Sequence, residues 1–124
     1  MASVRKVAPS DRIESDPTAG MVREEAIATD LTWAGLVRTA PHSTSAWHQH
    51  GDHETTIFVL SGVCRIESGP GGQVVAEGHE GDFLLVPPQA IHRESNPSDE
   101  EGRLVVVRAG SGAPTINVDG PQEE

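Results

Sequence analysis

Residues that favour turns recur along this chain at short and regular intervals, and this spacing limits the folds available to it. Glycine or proline marks turns at, for example, Pro41, Gly51, Gly62, Gly81 and Gly102. The segments between turns are short and rich in apolar residues, as in TTIFVL, DFLLVP and RLVVVRA. About eight such segments follow one another at a spacing of roughly 8 to 12 residues, which is typical of β-sandwiches and β-barrels. The sequence therefore predicts an all-β fold.

The chain has 124 residues, which is the length of one domain. We predict a flexible N-terminal arm over residues 1–20, which are polar and contain Pro9 and Pro17. A single β-barrel domain is predicted over residues 21–119 and an acidic tail over residues 120–124. At the start of the barrel, the stretch GMVREEAIATD is compatible with a short helical turn or with an edge strand.

Charge and composition disfavour several classes of partner. The formal net charge is −10, from 9 basic and 19 acidic side chains. Nucleic acids and anionic membranes attract basic surfaces, so we expect neither as a partner. Aromatic residues make up 3% of the chain, too few for a base-stacking platform. No run of about 18 apolar residues occurs, so the sequence predicts no transmembrane helix.

Cys64 is the single cysteine, which excludes an intramolecular disulfide. Secreted domains of this size commonly depend on disulfides, so we expect a reducing, cytoplasmic compartment. Cys64 lies in the alternating segment VCRIES, and we interpret it as a small apolar side chain of a strand rather than as a nucleophile.

Metal-ligand residue types concentrate between His48 and Glu54, where seven positions hold three histidines, an aspartate and a glutamate. One interpretation is a solvated, charged turn. The other is half of a metal site, because residues two apart on an extended segment project from the same face and His48 and His50 have this spacing. A second half requires another histidine on a neighbouring strand. His92 follows the apolar segment DFLLVP and the turn residues Pro87 and Pro88.

These two segments resemble the two motifs of the cupin superfamily. In the first motif, the matching residues are His48, His50 and Gly62. In the second, they are Gly81, Pro87, His92 and Asn96, with Gln89 where the family has glycine. The resemblance covers about residues 42 to 96, and the flanking strands fit by pattern alone. It implies an all-β double-stranded β-helix, or jelly-roll barrel, with a metal at His48, His50 and His92.

The fourth ligand that the resemblance implies is a glutamate, and we assign it to Glu54. Counting three residues forward from His50 reaches Glu54, whereas counting back from Gly62 reaches Thr55. One residue reverses the direction of a strand side chain, so Glu54 coordinates only if a bulge re-aims it. Otherwise His53 or water takes the position. The implied cofactor is a divalent transition metal, Fe, Mn, Ni, Cu or Zn, all of which accept imidazole ligands.

Two functions remain open at this stage. The first is a metalloenzyme, dioxygenase-like or a related oxidoreductase, that acts on a small organic molecule inside the barrel. The alternative is a non-catalytic small-molecule-binding or sensor protein with a weak or absent metal site. Glu94 shares the strand face of His92 and is a candidate to support it from outside the ligand set. Exposed edge strands and the N-terminal arm also lead us to expect a homodimer.

Overall fold

The computed structural model describes residues 2–110 and 115–123. Within them, the regular structure is β-strand apart from a 3₁₀ turn at Pro9–Asp11, so the all-β prediction is confirmed. The stretch GMVREEAIATD forms a strand rather than a helix. The strands are β1 (Ile13–Thr18), β2 (Met21–Ala28), β3 (Thr32–Thr39), β4 (Ser43–Thr44), β5 (His48–Gln49), β6 (Glu54–Ser61), β7 (Cys64–Ser68), β8 (Val74–Gly78), β9 (Phe83–Val86), β10 (His92–Asn96), β11 (Gly102–Ala109) and β12 (Ile116–Asn117).

The strands form two facing sheets, as in a jelly-roll barrel. The first sheet has the order β1-β2-β3-β11-β6-β9, and the second has the order β12-β5-β10-β7-β8, with β4 also paired to β10. The ladders within both sheets are antiparallel. Strands that are distant in sequence, such as β3 and β11, lie side by side. This topology brings the segments around residues 48 and 92 together in the second sheet.

Side-chain alternation along the strands builds the core between the sheets. In β11, Leu104 and Val106 are buried, whereas Val105 and Val107 point outward and are exposed. Val106 lies opposite Ile57 of β6 in the ladder. Because successive strand residues face opposite sides, the period of two in the sequence is enough to separate the core from the surface.

Part of the segment predicted as an N-terminal arm over residues 1–20 forms a strand. Ile13–Thr18 pair with β2 as an edge strand, with an irregularity between Ser15 and Thr18. Just before this strand, the Arg12 Nε atom lies 3.1 Å from a Glu24 carboxylate oxygen. The segment therefore gains order from backbone pairing and an ion pair, which require no apolar pattern in its own sequence.

The predicted acidic tail over residues 120–124 also contacts the barrel. The Gln122 carbonyl accepts a hydrogen bond of 2.9 Å from the Gly71 amide, in the turn between β7 and β8. Within the described residues, no helix is long and apolar enough to cross a membrane.

Candidate metal centre

Three of the four residues predicted to bind a metal lie together inside the barrel. His48 begins the short strand β5, and the ladder places it directly opposite His92 of β10. The extended backbone then carries His50 to the same side as His48. The rings of His48 and His92 have centroids 4.3 Å apart, and His50 lies 5.1 Å from each of them. All three side chains are buried, His48 and His92 completely so.

Glu94 supplies a carboxylate to the same group. It lies two residues after His92 on β10, so its side chain projects from the same face, and it is buried. One Glu94 carboxylate oxygen lies 3.4 Å from the His92 Nε2 atom and 3.8 Å from the His48 Nε2 atom. One ligand atom from each of His48, His50, His92 and Glu94 lies within 4.8 Å of the other three. These four residues could hold a metal ion, and we refer to them below as the His₃Glu group.

Backbone carbonyls orient two of the imidazoles toward the centre of the group. The Nδ1 atom of His48 lies 2.8 Å from the Ala46 carbonyl oxygen, and that of His92 lies 2.8 Å from the Ala90 carbonyl oxygen. A carbonyl only accepts, so each Nδ1 carries the hydrogen and each Nε2 presents a lone pair. Both Nε2 atoms are buried and make no hydrogen bond within the described residues. Buried polar atoms rarely lack a partner, and this pattern fits ligands that face a cation.

The electrostatics of the group also suit a cation. Burial lowers the pKa of His48, so this imidazole is neutral at neutral pH. Burial acts to raise the pKa of Glu94, but the interactions with His92, His48 and Arg23 outweigh it and lower this pKa to about 2. The group therefore presents a neutral His48 imidazole beside an ionised Glu94 carboxylate. Sequence reasoning missed Arg23, a buried residue whose position depends on how β2 packs.

The structure does not bring Glu54 to these atoms. Glu54 opens β6 opposite Ala109, and its side chain is exposed while Thr55 beside it is buried. The ladders of β6 show no irregularity at this end, so no bulge turns Glu54 inward. The group contains Glu94 where the sequence analysis placed Glu54. The parity of Glu94 with His92 was the available signal, and it was assigned a supporting role instead.

His53, the other candidate for the fourth position, supports the ligand loop. Its side chain is buried, and its Nδ1 atom lies 2.8 Å from the His50 carbonyl oxygen. The backbone amide of His53 donates to the same carbonyl at 3.1 Å. His53 lies outside the His₃Glu group and holds the turn that follows His50.

Gln89 connects the two segments that carry the histidines. Its amide donates to the Gly51 carbonyl at 2.7 Å, and its side-chain amide donates to an Asp52 carboxylate oxygen at 2.9 Å. Gln89 has a φ of 62°, in the left-handed region that favours glycine. This backbone geometry explains why the cupin motif has glycine here, and the two hydrogen bonds offset part of the cost to glutamine.

The fold and the site together define a small two-sheet β-barrel with a buried group of three histidines and one glutamate that could hold a metal. A family model described as the cupin domain, Cupin_2, matches residues 35–108, which is more than half of the chain. The chain therefore belongs to the cupin family. No curated protein sequence matches it.

Several solved structures resemble this fold at low sequence identity. The polyketide cyclase RemF from Streptomyces resistomycificus is 19% identical, with a TM-score of 0.76 over 98% of this chain and 89% of that one. KdgF from a Halomonas species is 16% identical, with a TM-score of 0.70 over 86% and 94% of the two chains. An RmlC-like cupin from Shewanella frigidimarina is 19% identical, with a TM-score of 0.71 over 88% and 93%. These similarities show the fold.

Proposed function

We propose that this protein is a metal-dependent cupin enzyme, an oxygenase or related oxidoreductase that acts on a small organic molecule inside the barrel. The observation that carries the proposal is the pair of buried Nε2 atoms, on His48 and His92, that point at one centre without hydrogen-bond partners. His50 and Glu94 complete a donor set around that centre. Purely structural histidines would be expected to use both ring nitrogens in hydrogen bonds.

The donor set narrows the choice of metal by class. Three imidazoles and one carboxylate, without a thiolate, suit Fe, Mn, Ni, Cu or Zn. A bound ion of this class would supply Lewis-acid polarisation of a coordinated substrate and, for the redox-active members, electron transfer. We place the reaction among the oxidoreductases because combinations of histidine and carboxylate ligands are typical of non-haem oxygenases.

The chain's own residues prepare the site for that role. The carbonyls of Ala46 and Ala90 fix the tautomers of His48 and His92, so neither ring reorganises when an ion arrives. Burial keeps the His48 ring neutral, so no proton has to leave it at neutral pH. The ionised Glu94 carboxylate contributes one negative charge, which would offset part of the charge of a divalent cation.

Elemental analysis of protein purified without a metal-affinity tag tests the metal site. We expect near-stoichiometric Fe, Mn, Ni, Cu or Zn in the wild type and its loss in His92→Ala. His79→Ala is the matched control, because His79 is exposed in the turn between β8 and β9. Absence of metal from the wild type, even after incubation with each ion, would contradict the proposal.

Oxygen uptake distinguishes a metal-dependent oxygenase from a non-catalytic binding protein. The metal-loaded protein should consume dioxygen in the presence of some members of a panel of small organic molecules, and His92→Ala should not. A protein that retains stoichiometric metal and binds panel members without turnover would be the non-catalytic binding or sensor cupin.

The single cysteine supports our further proposal of a cytoplasmic location.

We also propose that the protein is a homodimer formed through the outer face of the first sheet. Phe83, Phe58 and Val105 lie side by side across β9, β6 and β11, and Leu85 and Val107 occupy the next row. Phe83 is 71% exposed and Leu85 is 61% exposed. A contiguous apolar face of this kind on a chain of net charge −10 supports an interface with a second copy.

A further inference from the structure

The two sheets leave an open seam on one side of the barrel. β8 is the last strand of the second sheet, and β9 is the last strand of the first. Among the ladders of the described residues, β8 pairs with β7 and β9 pairs with β6, and none joins β8 to β9. A cavity of about 80 Å³ lies at this seam, and His92 is among the residues that line it. The cavity therefore lies next to one member of the His₃Glu group.

Burial increases from the seam toward His92. Val74 and Ala76 of β8 stand opposite Ser68 and Ile66 of β7, on the strand face that turns inward, yet both are exposed because the seam is open. Val74, which lies outside the cavity wall on the same face of β8 as Ala76, is 59% exposed. Ile66 is buried, and His92 at the inner end is completely buried. A molecule that entered here would pass from solvent into a dry environment next to the His92 ring.

The wall of the cavity is almost entirely hydrocarbon. Ser68 and His92 provide its polar side chains, and it contains no charged side chain. The remaining wall residues include Ile66, Leu84 and Val86, all of which have bulky apolar side chains. A charged or heavily hydroxylated group would lose its hydration here without finding partners, which is costly, whereas a hydrocarbon group would gain from burial.

Small side chains determine the size of the cavity. Ala76 and Ala90 line it at positions where larger residues would fill the space. Further along β8, the barrel closes, because a Cβ atom at Gly78 would lie 3.0 Å from Leu84 and 3.1 Å from Val59. The cavity therefore has room for only a few groups the size of a water or a methylene.

We propose that the seam cavity binds a small uncharged hydrocarbon group of the substrate, while the polar end of the same molecule lies at the His₃Glu group. This inference rests on the proposed function, because it assumes that the substrate approaches the metal. It assigns the substrate to the class of small molecules with one polar end and a short alkyl chain. Sugar-like molecules, with a hydroxyl on nearly every carbon, do not match the wall.

Titration of Co²⁺-loaded protein with acetate, butyrate and succinate tests this proposal. The affinity for each carboxylate is measured from the change in the visible spectrum of the metal. Butyrate carries two more carbons than acetate, and burial of two methylene groups predicts about tenfold tighter binding. Succinate has the length of butyrate but ends in a second charge, so it should bind no better than acetate. Equal affinities for all three, or no spectral change with any of them, would overturn the proposal.

A larger side chain at position 76 would fill the cavity and tests whether the alkyl chain binds there. In Ala76→Leu, the preference for butyrate over acetate should disappear while acetate binding remains. Val75→Leu is the control, because Val75 is the neighbouring exposed residue on β8 and lies outside the cavity wall. A butyrate preference that survives in Ala76→Leu would show that the alkyl chain binds elsewhere.

Xenon binding tests the cavity independently of the metal. Dissolved xenon should shift the methyl resonances of Ile66, Leu84 and Val86 in the metal-free wild type and in Val75→Leu, and not in Ala76→Leu. If Co²⁺ fails to bind, the proposed function fails, and xenon still decides the cavity. Absence of xenon shifts in the wild type would overturn the inference, whatever the metal result.

Discussion

Replacement of Glu94 by glutamine should change how the stability of the metal-free protein depends on pH. The carboxyl group is buried beside His92 and His48, and its pKa is lowered from 4.5 to about 2. A group with a lowered pKa stabilises the folded state above its unfolded pKa and loses that contribution as pH falls through its folded pKa. At 1.36 kcal/mol per pKa unit, the shift corresponds to about 3 kcal/mol of unfolding free energy.

The measurement is urea denaturation of chelator-treated wild type and Glu94→Gln at a series of pH values from 7 downward. The contribution of Glu94 to the difference in unfolding free energy should be fully present above pH 4.5. Between pH 4.5 and pH 2 it should change by up to about 3 kcal/mol, with the wild type losing its relative advantage. Glu54→Gln serves as the control, because Glu54 is exposed and lies outside the His₃Glu group. Parallel curves for wild type and Glu94→Gln over this range would refute the reasoning.

The variants Glu94→Gln and Glu54→Gln also test the identity of the fourth ligand, through competition with a chelator for the metal. Glu94→Gln should weaken metal binding at least tenfold, whereas Glu54→Gln should leave it unchanged. A loss of affinity in Glu54→Gln and not in Glu94→Gln would show that Glu54 is the ligand. Burial first, and then the charge of Glu94, raises the pKa of the Cys64 thiol, so a thiol-reactive dye should not label the native protein at pH 8 and should label it in urea. Rapid labelling under native conditions would contradict the burial of this side chain. Val107→Glu should shift the mass measured by light scattering from dimer to monomer, while Val75→Glu on the second sheet should not. An unchanged dimer in Val107→Glu would exclude the outer face of the first sheet as the interface.

The sequence predicted the fold well because the relevant signals are local. Turn residues and the period of two along segments such as β11 define strands without knowledge of their neighbours. The pair His48 and His50 was also predictable, because two residues on an extended segment share a face whatever the partner strand. His92 joined them through the motif resemblance, and the structure places it directly opposite His48.

The fourth member of the site was predicted as Glu54, whereas the structure groups Glu94 with the histidines. Whether Glu54 faces the histidines is decided by the register of β6 against β11 and β9, which no local pattern specifies. Glu94 faces them because it lies two residues after His92 on β10, a local signal that was interpreted as a supporting role. The edge strand β1 was missed for a related reason. Its residues Ile13–Thr18 have no clear apolar alternation, and their order comes from hydrogen bonds to β2.

The short strand β5, which carries His48 and precedes His50, affects how the protein unfolds locally. β5 is only two residues long, and it meets β10 at one residue pair and β12 at two, so few ladder pairs hold this strand in the second sheet. Local unfolding usually begins where backbone pairing is sparse. An ion shared between β5 and β10 would act as a cross-link between them, so metal release and fraying of this end of the barrel would be one coupled event.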